Sequence, residues 1–236
     1  ITRIDEILTV PFEKAVQGKK MEWIDNEADE YFLERVRSLS LGQRENNQKL
    51  GVIFTPLHGT GGRLVPELLQ QQGFENVNVV EEQMVPDGDF STVASPNPED
   101  YKAFTMAMEQ ASGNDELILA NDPDADRLGA MVRDSEKQWH WLTGNQIGIL
   151  ILDFILSSLK QQNRLPQNGV VITTVVTTPL VSKMARKNGL NVVEVLTGFK
   201  WIRQAALRFE KERGGKFVFG MEESHGYLMG AHSGDK

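Results

Sequence analysis

The sequence predicts an α/β protein made of two tandem related α/β units, each a mainly parallel sheet with flanking helices. Three observations carry this. A β-α-β-α-β order occurs twice along the 236 residues, and parallel strands need crossover connections of that kind. Residues 169–178 (GVVITTVVTT) are nearly all β-branched, as expected of a strand buried on both faces. The first strand of each copy ends in the same tripeptide, Thr55-Pro56-Leu57 and Thr178-Pro179-Leu180, where a proline fits the entry to a helix.

Taken in order, residues 1–26 show no clean period and read as the tail of an upstream unit. Residues 27–40 place Tyr31, Phe32, Val36 and Leu39 at helical spacing, with acids first and Arg35 and Arg37 later, an order that suits the helix dipole. A polar link leads to a short β-prone run at 51–55. Leu64, Val65, Leu68 and Leu69 then form a helical face that stops at Gly73. A strand at 77–80, a long polar loop, a helix at 101–111 and a strand at 116–121 complete the first copy. The second begins with a strongly apolar helix at 144–161, followed by the 169–178 strand and a helix to Gly189. A strand at 191–196, a helix at 199–213 and a strand at 216–221 finish it, with a further strand over GYLMGA. Ile202, Ala205, Ala206 and Phe209 make the buried stripe of the 199–213 helix.

Composition narrows the function classes. The chain has 25 Lys+Arg and 33 Asp+Glu, a net charge of −8, and a pI near 5.1, so it offers no diffuse basic field for nucleic acid. Without cysteine it has no disulfide, thiolate metal site or Cys nucleophile. The longest apolar run, 147–152, is stopped by Asp153, far short of the roughly 18 residues of a membrane span. Arg3, Asp5 and Glu6 break up any apolar leader. A start at Ile1 and a charged Ser-Gly-Asp-Lys end read as cuts in a longer polypeptide.

Ligands of such sheets gather beyond the carboxyl ends of the strands, and three segments fall there. In NDPDADR (residues 121–127), Asp122, Asp124 and Asp126 alternate, so a curled loop turns three carboxylates onto one hard cation, Mg²⁺ or Ca²⁺ rather than zinc. An EF-hand is excluded, because the sixth and twelfth loop positions are Arg127 and Arg133. Arg127 beside the acids suits an anion such as phosphate. MEESHG (221–226) offers acids, a hydroxyl and a His, which read equally as a sugar-binding loop or as a polar turn with His225 exposed. In TGFKWI (197–202), Thr197 suits a helix cap and Gly198 a close backbone approach, with Lys200 as a point charge. HGTGGR (58–63) lacks the third glycine of a dinucleotide loop and a Walker lysine. It reads as a tight turn, with His58 towards the cleft. Ser95 reads as a loop hydroxyl with no base beside it.

These motifs, TPLHGTG with DPDADR, then TGFKWI, then MEESHG, resemble in order and spacing the middle of the α-D-phosphohexomutases, the phosphoglucomutase/phosphomannomutase superfamily. The resemblance implies a four-domain fold around a cleft. Residues 27–142 match its metal-binding second domain and 143–236 its sugar-binding third domain, truncated at the end. It implies a cytoplasmic enzyme that interconverts hexose 1- and 6-phosphates through an active-site phosphoserine and a bisphosphorylated sugar, with Mg²⁺ and glucose 1,6-bisphosphate, or an equivalent, as cofactors. By motif position, Asp122, Asp124 and Asp126 match the Mg²⁺ ligands, and Arg127 the arginine that steadies phosphoryl oxygens. Glu222 and Ser224 match the Glu-x-Ser pair on sugar hydroxyls, and Thr197, Gly198 and Lys200 the loop on the sugar's other face. Lys236 matches a catalytic lysine.

The chain departs from the family in lacking its T-A-S-H-N-P serine motif and its fourth, phosphate-gripping domain. Its expected partners are therefore a phosphosugar and the first and fourth domains of the same polypeptide, not nucleic acid or membrane. Two other classes compete. A haloacid-dehalogenase-like sugar phosphatase also places Asp-x-Asp after a strand, but needs a Thr or Val where DPDADR has a third Asp and an Arg. A metal or sugar-phosphate binding module without catalysis is the other.

Overall fold

The computed structural model describes residues 7–42 and 47–230. Two helices come first, α1 (Phe12–Gln17) and α2 (Asp25–Arg37). The first lies where the sequence shows no period. Leu33 of α2 is buried, while Tyr31 and Phe32 stay exposed. An Asp29–Arg63 ion pair also links this helix to the next one.

The first unit runs β1 (Gly51–Thr55), α3 (Gly61–Gln71), β2 (Asn76–Val79) and α4 (Glu81–Met84). A 3₁₀ turn at Tyr101–Phe104 then leads into α5 (Thr105–Gln110), and β3 (Asp115–Asn121), β4 (Leu128–Arg133) and β5 (Trp139–Leu142) complete it. The second unit runs α6 (Gly144–Gln161), β6 (Gly169–Thr174), α7 (Pro179–Lys187), β7 (Asn191–Val195), α8 (Phe199–Arg213), β8 (Lys216–Glu222) and β9 (Gly226–Met229).

Among the described residues the strand orders are β2-β1-β3-β4-β5 and β7-β6-β8-β9. In each unit the first strand is central, with the second and third parallel to it on either side. An antiparallel strand, β4 or β9, then extends the sheet beyond the third. The two units share one plan. The sequence reading misses β4 and β5, so the first sheet is more mixed than expected. It also carries the 169–178 strand four residues too far.

Packing follows from the pattern. Every residue of β1 and of β6 is buried, as central strands covered on both faces require. On β6, Val171 faces a core with Leu152, Leu156 and Val181 from α6 and α7. Val170 and Ile172 face Phe199, Ile202, Ala206 and Phe209 of α8, the period-2 alternation of a strand. In the first unit Ile53 and Ile118 meet Phe104 and Ala107. Helix α6 starts with a reciprocal Thr143–Gln146 capping box. Pro179 opens α7 behind Thr178, whose hydroxyl accepts from the Leu180 amide. Pro56 does not open a helix: α3 starts only at Gly61, after a turn in which Leu57 and His58 have φ of 49° and 67°.

In each unit the parallel strands end on one edge of the sheet. The loops after β1 and β3, and those after β6, β7 and β8, therefore share the edges where the sequence motifs lie. No helix among the described residues is long and apolar enough to cross a membrane.

Candidate functional site

The loop after β3 turns on Ala125, which has φ 59° and whose amide donates to the Asp122 carbonyl at 2.9 Å. This curl brings one carboxylate oxygen each from Asp122, Asp124 and Asp126 within 4.8 Å of one another. Asp122 is buried, Asp126 half-buried and Asp124 exposed. Burial, reinforced by the charges of Asp126 and Asp124, pushes the Asp122 carboxyl up to about 6, against the amide of Arg127, which donates to it at 2.9 Å. A carboxyl held against ionisation beside two other acids, as Asp122 is, suits a hard divalent cation, whose charge would reverse the penalty.

Arg127 is held from two sides. Its Nη1 donates to Glu99 at 2.8 Å and to Asn97 at 3.4 Å. Its Nε lies 3.4 Å from Asp122 and 3.8 Å from Asp126, buried and without a hydrogen bond. The PNPE segment thus folds back to fix the guanidinium, a role that sequence reading misses because it weighs only Ser95 there. Ser95 itself is exposed.

The TPLHGTG turn supports the acidic loop from below, where the Thr60 amide donates to the Pro123 carbonyl at 2.8 Å. Its left-handed residues are pinned by a buried hydrogen-bond chain. The Leu57 amide donates to the Thr55 hydroxyl at 3.1 Å, and that hydroxyl to Gln83 Oε1 at 2.5 Å. Gln83 Nε2 donates to the Thr92 oxygen at 3.0 Å. His58 Nδ1 donates to the Val85 carbonyl at 2.8 Å, and its Nε2 is hydrogen-bonded to the Thr92 hydroxyl at 2.7 Å. His58 is therefore a buried structural residue and does not face the cleft.

In the second unit, Gly198 rather than Thr197 is the N-cap of α8, and no side chain caps the helix. Gly198 has φ 113°, a conformation open essentially to glycine. It aims its amide at Glu222, which accepts it at 2.6 Å. Glu222 is buried and so ties the 197–198 loop to the end of β8. Glu223 accepts from the hydroxyls of Thr174 and Thr177 at 3.1 and 3.2 Å. Ser224, between them and His225, is half-exposed. Thr197 and Lys200 are exposed, and the Lys200 ammonium lies 5.2 Å over the Trp201 ring. Lys236 lies outside the described residues.

His225 is not exposed, as a plain polar turn would leave it. It is 2% accessible, and its ring stacks on Trp141 at 5.9 Å and 30°. Burial lowers its pKa below the usual histidine value. The Leu128 amide donates to its carbonyl at 3.0 Å, so the loop after β8 meets the end of the acidic loop.

Comparison with known proteins agrees with the two-unit α/β fold. The profile described as "Phosphoglucomutase/phosphomannomutase, alpha/beta/alpha domain II" matches residues 29–136, and that of domain III matches 143–236. A phosphoglucomutase of Staphylococcus epidermidis is 37% identical over 230 residues, 97% of this chain and 41% of that protein. The chain thus spans well under half the length of such a curated relative. A solved phosphoglucomutase/phosphomannomutase family protein of Burkholderia thailandensis superposes with a TM-score of 0.65 at 19% identity, over 94% of this chain and 45% of its own. The N-acetylphosphoglucosamine mutase of Aspergillus fumigatus is similar in two complexes. With glucose 1,6-bisphosphate the TM-score is 0.57 at 18% identity, over 86% of this chain and 37% of that one. With GlcNAc-6P and magnesium it is 0.55 at 19% identity, over 79% and 37%. At these identities the solved structures show the fold.

Proposed function

The chain belongs to the phosphoglucomutase/phosphomannomutase family, and on that premise we propose that it carries the metal-binding and sugar-binding parts of a Mg²⁺-dependent phosphohexomutase. The reaction interconverts a hexose 1-phosphate and a hexose 6-phosphate through a phosphoserine and a bisphosphorylated sugar. One observation carries the reading. The three gathered carboxylates of Asp122, Asp124 and Asp126 lie in a loop whose end is hydrogen-bonded to the loop bearing Glu222 and Ser224.

The donor set fits Mg²⁺: it is oxygen only, and Asp122 is held against ionisation by burial and like charge. Mg²⁺ bound by these three residues supplies charge neutralisation for phosphoryl oxygens. Arg127, fixed by Glu99 and Asn97, steadies a phosphoryl group beside them. Ser224 and Glu222 orient sugar hydroxyls, with Glu222 exchanging the Gly198 amide for substrate or sharing it. Thr197, Gly198 and Lys200 bound the other face of the sugar, and Lys236 moves the proton of the attacking hydroxyl. Residues 1–26 belong to the phosphoserine domain, 27–142 form the metal unit and 143–236 the sugar unit. The phosphoserine and the grip on the distal phosphate come from the first and fourth domains of the polypeptide, which acts in the cytoplasm.

The test joins this chain to those two domains and follows glucose 6-phosphate from glucose 1-phosphate with glucose 1,6-bisphosphate and Mg²⁺. Turnover lost in Asp126→Ala, and catalytic efficiency lost in Glu222→Gln with metal binding retained, are expected. Unchanged turnover in either variant would remove that residue's role. Release of inorganic phosphate without isomerisation would point to a phosphatase instead. The chain of 236 residues by itself should not turn over, since no serine in it sits in the required motif.

A further inference from the structure

We propose that His225 is a positioning residue that sets the spacing between the acidic loop with Arg127 and the sugar loop with Ser224. The proposal rests on the reading of those loops given above. Leu128 follows Arg127, and His225 follows Ser224. The two followers are paired across the units: the Leu128 amide donates to the His225 carbonyl at 3.0 Å, and His225 Nδ1 lies 3.2 Å from the Leu128 carbonyl. A carbonyl has no proton, so Nδ1 carries it and donates. Arg127 and Ser224 are each left one residue from a doubly tied point.

The local geometry serves this pairing. His225 has φ 66°, a left-handed turn between β8 and β9 that a non-glycine residue rarely adopts. Its ring is buried against Trp141, and the Trp141 indole N–H donates to the Pro98 carbonyl at 3.1 Å. Pro98 lies between Asn97 and Glu99, the two residues that hold Arg127. One aromatic pair therefore joins the sugar loop, the PNPE segment and the start of β4. Behind the turn, a Cβ on Gly144 would stand 2.0 Å from the Glu223 carbonyl oxygen, so the start of α6 fits directly under the loop. The Tyr227 hydroxyl then donates to the Gly144 carbonyl at 2.9 Å. Packing alone would explain a buried ring. It would not explain why the ring's proton goes to the carbonyl of Leu128, the residue beside Arg127, while the Leu128 amide returns a hydrogen bond to the His225 carbonyl.

The absence of cysteine makes the test direct. Glu136→Cys in the first unit and Lys211→Cys in the second, both at exposed positions, take spin labels uniquely, and the distance distribution between them reports the spacing. It should be narrow in the otherwise unaltered chain and at least twice as broad in His225→Ala. It should narrow again in His225→Asn, because Asn tolerates a left-handed φ and presents an amide N–H where Nδ1 stands. All spectra are taken well below each variant's unfolding temperature, so simple loss of stability would not broaden them. A distribution as narrow in His225→Ala as in the parent would overturn the proposal. Equal broadening in His225→Asn would overturn the assignment to the paired hydrogen bonds. Calorimetry with Mn²⁺ on the same proteins separates the two levels: no binding to the parent chain would refute the acidic-loop reading, while the distances still decide the spacing.

Discussion

Replacing Asp124 by Asn removes the middle charge of the acidic loop but keeps an oxygen there, and it should move stability in opposite senses with and without metal. The three carboxylate oxygens lie within 4.8 Å of one another. At that separation two unit charges repel by roughly 1 kcal/mol in water and about 3.5 kcal/mol at an effective dielectric of 20. Asp124 is exposed, so water screens both of its repulsions toward the lower figure. The metal-free variant should therefore gain about 1–2 kcal/mol, roughly 2–8 °C in midpoint for a chain of this size. A cation at a hundred times its Kd should stabilise the parent by about 2.7 kcal/mol, and a variant binding a hundredfold more weakly by only about 0.4 kcal/mol. Thermal unfolding followed by circular dichroism, in EDTA and in Mn²⁺, reads both terms. In EDTA the variant should be the more stable protein, and in Mn²⁺ the gap should close or reverse. A variant less stable in EDTA, or one whose midpoint Mn²⁺ raises as much as the parent's, would rule out charge repulsion at Asp124 as the dominant effect.

Three further outcomes are expected. Gly198→Ala places a side chain at φ 113° and should cost about 1–3 kcal/mol in urea unfolding; a neutral result would mean that the α8 entry relaxes without loss. Gln83→Leu deprives the Thr55 hydroxyl of its acceptor and Thr92 of a donor, and should cost about 1–3 kcal/mol, carried by the buried Thr55 hydroxyl, with an unchanged urea midpoint counting against the network. For His225 the sign follows from burial, which holds the folded pKa below the unfolded value of about 6.5. Its stabilisation is full above about 6.5 and is lost as the pH falls through the folded value. The stability difference between the parent and His225→Asn should therefore shrink from pH 7.5 to 5.5, and a difference that grows with acid would contradict the assignment.

What the sequence shows and what it hides divide by range. The acidic loop is legible because its three carboxylates alternate within five residues and follow a strand. The apolar helix at 144–161 and the 199–213 helix are legible because their period is local. Glu99 and Asn97 are hidden, since their partner Arg127 stands 28 and 30 residues away. His225 is hidden more deeply, with Leu128 97 residues from it. Strand β4 escapes because LGAMVR mixes Gly and Ala, which have little β preference, into a run without alternation. The overlong 169–178 strand fails for a different reason. Its Thr174 and Thr177 hydroxyls turn to Glu223 and to each other, so a tertiary carboxylate overrides the β-branched preference.

The repeated Thr-Pro-Leu shows how one plan yields two kinds of loop. Both copies follow a central, fully buried strand, so both begin at the same place in their sheets. In the second unit the threonine caps a helix that starts at once on Pro179. In the first, Leu57 and His58 turn left-handed, and the chain is delayed until Gly61 before α3 begins. The delay carries the Thr60 amide to the Pro123 carbonyl, which holds up the acidic loop. A left-handed pair of non-glycine residues is strained, and it persists because Gln83, Thr92 and the Val85 carbonyl satisfy every polar atom of the turn that they meet. The first unit thus uses its extra residues to brace a cluster of like charges. Among its described residues the second shows no such three-carboxylate cluster, and its helix follows β6 without such a turn; its loop after β8 is braced by Glu223 and by the bonds that His225 makes to the first unit.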